Sequence, residues 1–202
     1  CDCNCFYASV EMQEHPELRG KSIAVCGDPE ARHGIVLTAS YPAKRMGVKT
    51  GMPIWEAKQH CRDLIIVPAN YGKYQKYSGY VREVFNDYTD QVESFGLDEA
   101  WLDITGSVGL FGSPVKIAKE ISVRIKRELG ITVSIGVSFN KITAKLGSDY
   151  KKPDAITIIE PENYKEIVYP LPARDLLYVG AATQRKLGSY GIRTIGQLAE
   201  TN

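Results

Sequence analysis

Cysteine is scarce and odd in number. Five Cys in 202 residues do not pair off, and a chain of this length builds its own core. A disulfide-stapled scaffold is therefore disfavoured and a reducing compartment fits. No C-x-x-C spacing occurs. Cys1, Cys3 and Cys5 alternate, which on a strand puts them on one face, and they read as small buried apolar side chains rather than zinc ligands. An excess of either charge is lacking too. The 25 Lys+Arg stand against 24 Asp+Glu, a net charge of +1, so global charge gives no argument for a nucleic-acid partner and any basic surface must be local. No apolar run approaches the roughly 18 residues of a membrane span. No signal peptide, internal repeat or low-complexity segment is visible. The chain opens at Cys1, without Met, inside what reads as a strand, and stops at Thr201-Asn202 just after a helical pattern; the expectation is a piece of a longer protein.

What is present is an ordinary globular composition, 44% hydrophobic and 24% charged, close to the average for soluble domains, with room for one or two domains. A strand over Cys1–Asn4 leads to a helix over Phe6–Gln13. Ser22–Cys26 and Gly34–Thr38 read as short apolar strands. Helices follow at Pro42–Met46 and Ile54–Cys61, the second started by Pro53, and then a buried-type strand at Leu64–Val67. Tyr71–Thr89 reads as a long polar helix. In Glu99–Thr105, Ala100, Leu102 and Ile104 alternate with Trp101 and Asp103, the period of a strand, and Gln91–Leu97 precedes it as another. Pro114–Leu129 is an amphipathic helix, Ile131–Phe139 a β-branched strand, Asn140 the cap of a helix to Tyr150, and Ala155–Ile159 a last strand. Without residues 12–69 the order is β-α-β-β-α-β, the ferredoxin-like split arrangement, with its first strand in mid-sheet beside the central hairpin. The fold class is mixed α+β, with a small α/β insertion at 12–69 and short helices punctuated by glycine over 161–202.

That topology lets Asp2, on the first strand, converge with Asp98 and Glu99, between the hairpin strands, at one exposed end of the sheet. Three solvated surface acids are one reading. The other is a metal centre: carboxylates this close repel unless cations neutralise them, hard divalent ions with oxygen ligands do so, Mg²⁺ above all, and two such ions clamp the oxygens of a phosphoryl transfer.

The segment Asp2-Cys3-Asn4-Cys5-Phe6-Tyr7-Ala8-Ser9-Val10-Glu11 resembles the opening motif of the Y-family DNA polymerases, the translesion enzymes of DinB/UmuC type. Tyr41-Pro42-Ala43-Lys44-Arg45-Met46-Gly47-Val48-Lys49-Thr50-Gly51-Met52-Pro53 resembles their fingers motif, and Leu97-Asp98-Glu99-Ala100-Trp101-Leu102-Asp103 their second carboxylate motif. Ser134-Ile135-Gly136-Val137-Ser138, with Asn140-Lys141, Ala144-Lys145 and Lys152-Pro153, is similar to the last palm motif. Val179-Gly180-Ala181-Ala182-Thr183 through Lys186-Leu187 and Gly191-Ile192 is similar to the helix-hairpin-helix of the thumb. The five motifs occur in order and cover nearly the whole chain.

The resemblance implies a ferredoxin-like palm at 1–11 and 70–160, fingers at 12–69 and the start of a helical thumb at 161–202, with the little finger absent. It implies template-directed transfer of a deoxynucleotide to a primer 3′-hydroxyl. Asp2, Asp98 and Glu99 would be catalytic and would hold two Mg²⁺ with the backbone carbonyl of Cys3. The amides of Cys5, Phe6 and Tyr7, together with Thr38, Tyr41, Lys44 and Lys152, would face the triphosphate. Tyr7 would be the steric gate that refuses a 2′-hydroxyl. Ile35 and Leu37 would cover the nascent base pair. Gly180, Ala182 and Lys186 would meet primer–template DNA, and a sliding clamp would bind through the missing C-terminal region. The location implied is cytoplasmic. Two local patches of +3, at 41–58 and 140–152, would flank the acidic centre.

Five positions depart from the family pattern. Asn4 replaces a third Asp that is not generally a ligand. Lys44 replaces an Arg, keeping the charge but losing the bidentate fork. Gly96-Leu97 replaces Ser-Ile, and the glycine is expected to loosen its turn. Leu37 is larger than usual, so bulky template adducts should be bypassed poorly and Leu37→Ala should ease that bypass. Two alternatives stand beside this reading. A nucleotidyl cyclase shares the palm and the acidic centre without needing fingers or thumb, and a degenerate relative would bind DNA without catalysis.

Overall fold

The structure is a computed structural model that describes residues 1–27 and 34–201. Its elements in chain order are β1 (Asp2–Cys3), α1 (Phe6–Glu14), β2 (Ile23–Cys26), β3 (Val36–Ala39), α2 (Tyr41–Arg45), α3 (Ile54–His60), β4 (Ile65–Pro68), α4 (Tyr71–Asn86), β5 (Val92–Phe95), β6 (Glu99–Leu102), α5 (Val108–Phe111), α6 (Pro114–Leu129), β7 (Val133–Ser138), α7 (Lys141–Tyr150), β8 (Ile156–Ile159), α8 (Tyr164–Val168), α9 (Ala181–Ser189) and α10 (Ile195–Ala199). Short 3₁₀ turns add to these at Pro16–Leu18, Thr105–Ser107 and Ala173–Asp175.

Five strands form one sheet in the order β5-β6-β1-β7-β8. The expected mid-sheet first strand is there, antiparallel to β6 on one side and β7 on the other. The hairpin strands β5 and β6 pair from Val92↔Leu102 to Phe95↔Glu99. The fifth strand, β8, runs parallel to β7 through the α7 crossover. The fold class is mixed α+β, as the alternation of patterns predicts.

One face of this sheet is covered by α1, α4 and α6. Their inward positions (Phe6 and Val10; Tyr74, Val81 and Phe85; Ile117, Ile121 and Ile125) join Ala100, Ile131 and Val133 in the largest core. The three-stranded sheet of the insertion has the order β3-β2-β4. Its middle strand is buried at all four residues. Period-2 geometry explains why: Ile23 and Val25 point into the large core, while Ala24 and Cys26 point into a second one with Val36, Ala39, Ala43 and Ala57. The insertion is thus joined to the main core through the two faces of β2. A third cluster of Leu146, Ile159, Val168 and Ile195 ties α8 and α10 to the far side of α7 and β8.

Several elements end earlier than the sequence pattern suggests. The first strand is only two residues long, so Cys5 does not share a strand face with Cys1 and Cys3. It is the residue before α1, at φ 47 and ψ 47, a left-handed conformation that costs a non-glycine residue roughly 1 kcal/mol or more. Cys3 and Cys5 are buried and all five cysteines are unpaired, which fits their reading as small apolar side chains. The hairpin strands stop at Phe95 and Leu102, and residues after Asp103 turn into a 3₁₀ segment and α5 that the alternation of Leu102 and Ile104 did not foretell. Gly96 sits at φ +75, a value open to glycine at little cost, and its carbonyl accepts from Arg82 at 2.9 Å. The glycine supplies the positive φ that this turn uses.

Candidate active site

The centre of the sheet brings acids together by register. Asp2 on β1 lies directly opposite Glu99 on β6. The amide of Cys3 donates to the carbonyl of Asp98 at 2.8 Å, and that of Ala100 to Cys1 at 3.1 Å. These bonds lock the β5–β6 turn against β1. Asp2 is buried, at 3% exposure, not placed at an exposed end of the sheet as the topology alone suggests. Asp98 and Glu99 are half-buried.

Two lysines from the α7 region reach into this group. Lys145 Nζ lies 2.8 Å from Asp2 Oδ2, 3.1 Å from Glu99 Oε1 and 2.9 Å from Asp149 Oδ2. Lys152 Nζ lies 2.6 Å from the same Asp2 oxygen and 2.8 Å from Asp149 Oδ1. Among the described residues no three acidic, His or Cys side chains surround one point closely enough to cage an ion as they stand; the two ammonium groups occupy the middle.

The protonation of the acids follows from these neighbours. Burial pushes Asp2 up, but the ammoniums of Lys152 and Lys145 outweigh it and hold its carboxyl below the usual range. Burial, and then the charge of Asp2, raise Asp98. The same two causes, with a hydrogen bond to Asp2, raise Glu99 to about 7. Glu99 Oε2 is buried and has no hydrogen-bond partner among the described residues, a costly state for a carboxylate. Four carboxylates against two ammoniums leave the cluster formally negative. A hard cation is what such a donor set lacks, so these residues fit a divalent ion.

The turn from β1 into α1 lies beside the acids. The first N–H groups of α1 have no intrahelical partners, and no side chain caps the helix among the described residues. Ser9 Oγ donates to the carbonyl of Asn4 at 2.6 Å, and the Asn4 side chain sits 3.0 Å from Thr132 Oγ1 and 2.9 Å from Ser134 Oγ. Asn4 therefore braces β1 against β7 and does not extend the acidic group. Tyr7 stacks on Tyr74, with centroids 4.3 Å apart and planes 15° from parallel. Tyr71 stands edge-on to both rings. Tyr74 donates its hydroxyl to the buried Glu11 at 2.7 Å. Phe6 is packed in the core.

The other expected residues spread outward. The Tyr41 hydroxyl reaches the Asn4 amide at 3.4 Å, which brings the start of α2 to the site. Lys44 is exposed and lies over the Tyr41 ring at 5.3 Å. Thr38 pairs with Val25 in the small sheet. Ile35, bridged to Pro53, is 41% exposed, and Leu37 is half-buried two residues on. Gly180 precedes α9, and Ala182 and Lys186 lie on its exposed surface.

The sequence reading left Lys145 and Asp149 out of the site. The i,i+4 spacing of Lys145 and Asp149 on a helix capped by Asn140 would have placed these two on one side, with Lys152 just past the helix end. The expected basic patch at 140–152 is largely consumed: Lys141 pairs with Glu93, and Lys145 and Lys152 with the acids above.

Comparison with known proteins matches residues 1–149 to the model of the impB/mucB/samB family. DNA polymerase IV of Acetivibrio thermocellus is 58% identical over 98% of this chain and 50% of its own length. DNA polymerase IV 1 of Bacillus subtilis is 45% identical over 98% of this chain and 48% of its own length. This chain thus spans about half the length of those curated relatives. The crystal structure of DinB from Sulfolobus solfataricus superposes with a TM-score of 0.90 at 33% identity, over all of this chain and 59% of that one. The insertion ternary complex of Dbh DNA polymerase gives 0.91 at 33% identity with the same coverage.

Proposed function

The chain belongs to the impB/mucB/samB family, the Y-family of DinB type, and from that premise we propose that it carries the catalytic part of a template-directed DNA polymerase of translesion type. The observation that carries the proposal is the pairing of Asp2 with Glu99 across adjacent strands, with Glu99 Oε2 buried and unpartnered among the described residues. Asp2, Asp98, Glu99 and the carbonyl of Cys3 would hold two Mg²⁺. When bound, such ions lower the cost of charge on the attacking and leaving oxygens.

The chain's own residues then bind and orient. The amides of Cys5, Phe6 and Tyr7, at the positive end of α1, receive the triphosphate. Thr38, Tyr41, Lys44 and Lys152 complete its cradle. Tyr7, braced by Tyr74 and Tyr71, lies under the sugar and excludes a 2′-hydroxyl. Ile35 and Leu37 cover the nascent base pair. The amide of Gly180 with Ala182 and Lys186 holds a DNA phosphate without reading sequence. The primer 3′-oxygen bonds to the α-phosphorus as the bond to the β-phosphate breaks and pyrophosphate leaves. Positioning supplies much of the rate.

We assign palm to 1–11 and 70–160, fingers to 12–69 and the start of a thumb to 161–202. The partners are primer–template DNA, deoxynucleoside triphosphates and a sliding clamp engaged through the region by which the relatives are longer. No helix among the described residues is long and apolar enough to cross a membrane. The unpaired cysteines fit a reducing compartment, and we place the protein in the cytoplasm.

Primer extension with Mg²⁺ and one correct deoxynucleotide tests the reading. Low salt and high protein concentration are required, because phosphate contacts weaken steeply as salt rises. Extension that disappears in Asp98→Ala is expected. Absence of extension, even with the chain joined to the remainder of a relative, would leave a DNA-binding protein without catalysis. Conversion of a nucleoside triphosphate without primer would mark a cyclase.

A further inference from the structure

Nothing above gives Lys145 a role, yet it is the most enclosed cation at the site, its side chain 15% exposed. Its ammonium donates to Asp2 Oδ2 at 2.8 Å and lies within ion-pair distance of Glu99 and Asp149 as well. Asp149 is shared: one of its oxygens meets Lys145 and the other Lys152. Lys152 in turn divides itself between Asp149 and Asp2. One ammonium 2.6 Å from Asp2 Oδ2 is not free to neutralise a phosphate.

Resting on the metal-centre reading above, we propose that Lys145 is the resident counter-ion of the metal-free centre, competing with a divalent cation for Asp2 and Glu99. Asp149 is the positioning residue that retains both lysines when the cation enters, so that Lys152 leaves Asp2 and becomes available to the nucleotide's phosphates. A buried carboxylate is costly without a cation, and the lysine fills that need until a stronger cation arrives. Cation and triphosphate binding then favour each other through Lys152, and by linkage the coupling is reciprocal.

The test uses this chain without DNA or nucleotide and Mn²⁺ as the probe. Free Mn²⁺ is read by electron paramagnetic resonance, and melting is followed in EDTA. Lys145→Met should melt at a lower temperature in EDTA and yet bind Mn²⁺ more tightly, by roughly tenfold, within the usual range of site coupling. Lys145→Arg, which keeps the charge, should restore the wild-type affinity. Asp149→Asn leaves the lysines more firmly on Asp2 and should weaken Mn²⁺ binding several-fold. A lysine that served packing alone would lower stability and Mn²⁺ affinity together, and that result, or an unchanged affinity in a folded Lys145→Met, overturns the proposal. Should Lys145→Met fail to fold, Asp149→Asn decides by its sign: weaker binding supports the exchange and unchanged binding overturns it. Absence of Mn²⁺ binding in every protein, wild type included, would overturn the metal centre itself.

Discussion

Asp2, on β1, and Asp98, in the β5–β6 turn beside it, are the same chemical group, and their surroundings push them in opposite directions. Asp2 is buried against two ammoniums that hold it ionised, whereas Asp98 is raised by burial and by the charge of Asp2. Removing each should therefore read differently in metal-free buffer. Asp98→Ala relieves repulsion and is expected to leave the melting temperature unchanged or slightly higher. Asp2→Ala leaves Lys145 and Lys152 with only Glu99 and Asp149 and should cost roughly 1–3 kcal/mol, less than the 3–5 typical of a fully buried pair because Asp149 remains. Thermal melting of both variants in EDTA checks this, and equal losses would contradict the geometry. At this same scale, Gly96 shows a side chain's absence at work: its positive φ and the Arg82 hydrogen bond turn the chain so that Asp98 and Glu99 arrive beside β1.

At the scale of elements, the site depends on how closely α7 lies on the sheet. A Cβ at Gly136 of β7 would stand 1.9 Å from the carbonyl oxygen of Ala144 and 2.7 Å from the amide of Ser148. Gly147 faces it, with its own Cβ position 3.0 Å from Gly136 Cα. Two glycines in register let helix backbone rest on strand backbone, and that is what carries Lys145 into the carboxylates. The clashing atoms are backbone, so they cannot rotate away. Gly136→Ala is expected to lose about 3 kcal/mol, at the upper end of overpacking costs, and to raise Mn²⁺ affinity, because a displaced α7 withdraws the competing Lys145 from the carboxylates. Denaturant unfolding measures the first and metal titration the second. A variant with native stability would show that α7 has slack the structure does not display. The start of α7 is secured by Asn140, whose side chain accepts from the Thr143 amide at 2.9 Å, the cap its residue type predicted.

For the whole molecule, the acidic centre makes stability depend on pH. Glu99 is raised from 4.5 to about 7, so between those values the folded state holds a proton that the unfolded state has lost. Stability from this group is greatest below 4.5 and falls as pH rises toward 7. Asp2 acts the other way: its depressed carboxyl contributes stability above the ordinary range for Asp, lost as pH falls through the folded value. In metal-free buffer the melting temperature should drop between pH 5 and pH 8, and Glu99→Gln should flatten that drop. Saturating Mg²⁺ should also remove it, since on the proposed metal centre the ion would bind the ionised form and only the folded state. The same slope in Glu99→Gln as in wild type would assign the effect elsewhere.

Local patterns determined much of this protein. Alternation placed the strands, Asn140 announced a helix start, and β-α-β-β-α-β set β1 in mid-sheet. Asp2, Asp98 and Glu99 were legible as neighbours because that order sets the hairpin beside β1, whereas the register of Asp2 opposite Glu99 came with the structure. The motif resemblance supplied the family and the names of the site residues, which no pattern of hydrophobicity contains. Tertiary structure alone decided three things. It buried Asp2, because exposure depends on what packs above a strand. It spent the basic patch at 140–152 on the carboxylates, because charge counted along a chain says nothing of which acids fold against it. It also brought Lys145 and Asp149 into the site, since contacts spanning more than a hundred residues, such as Lys145 with Asp2, arise only once a helix lies on the sheet closely enough for two glycines to touch.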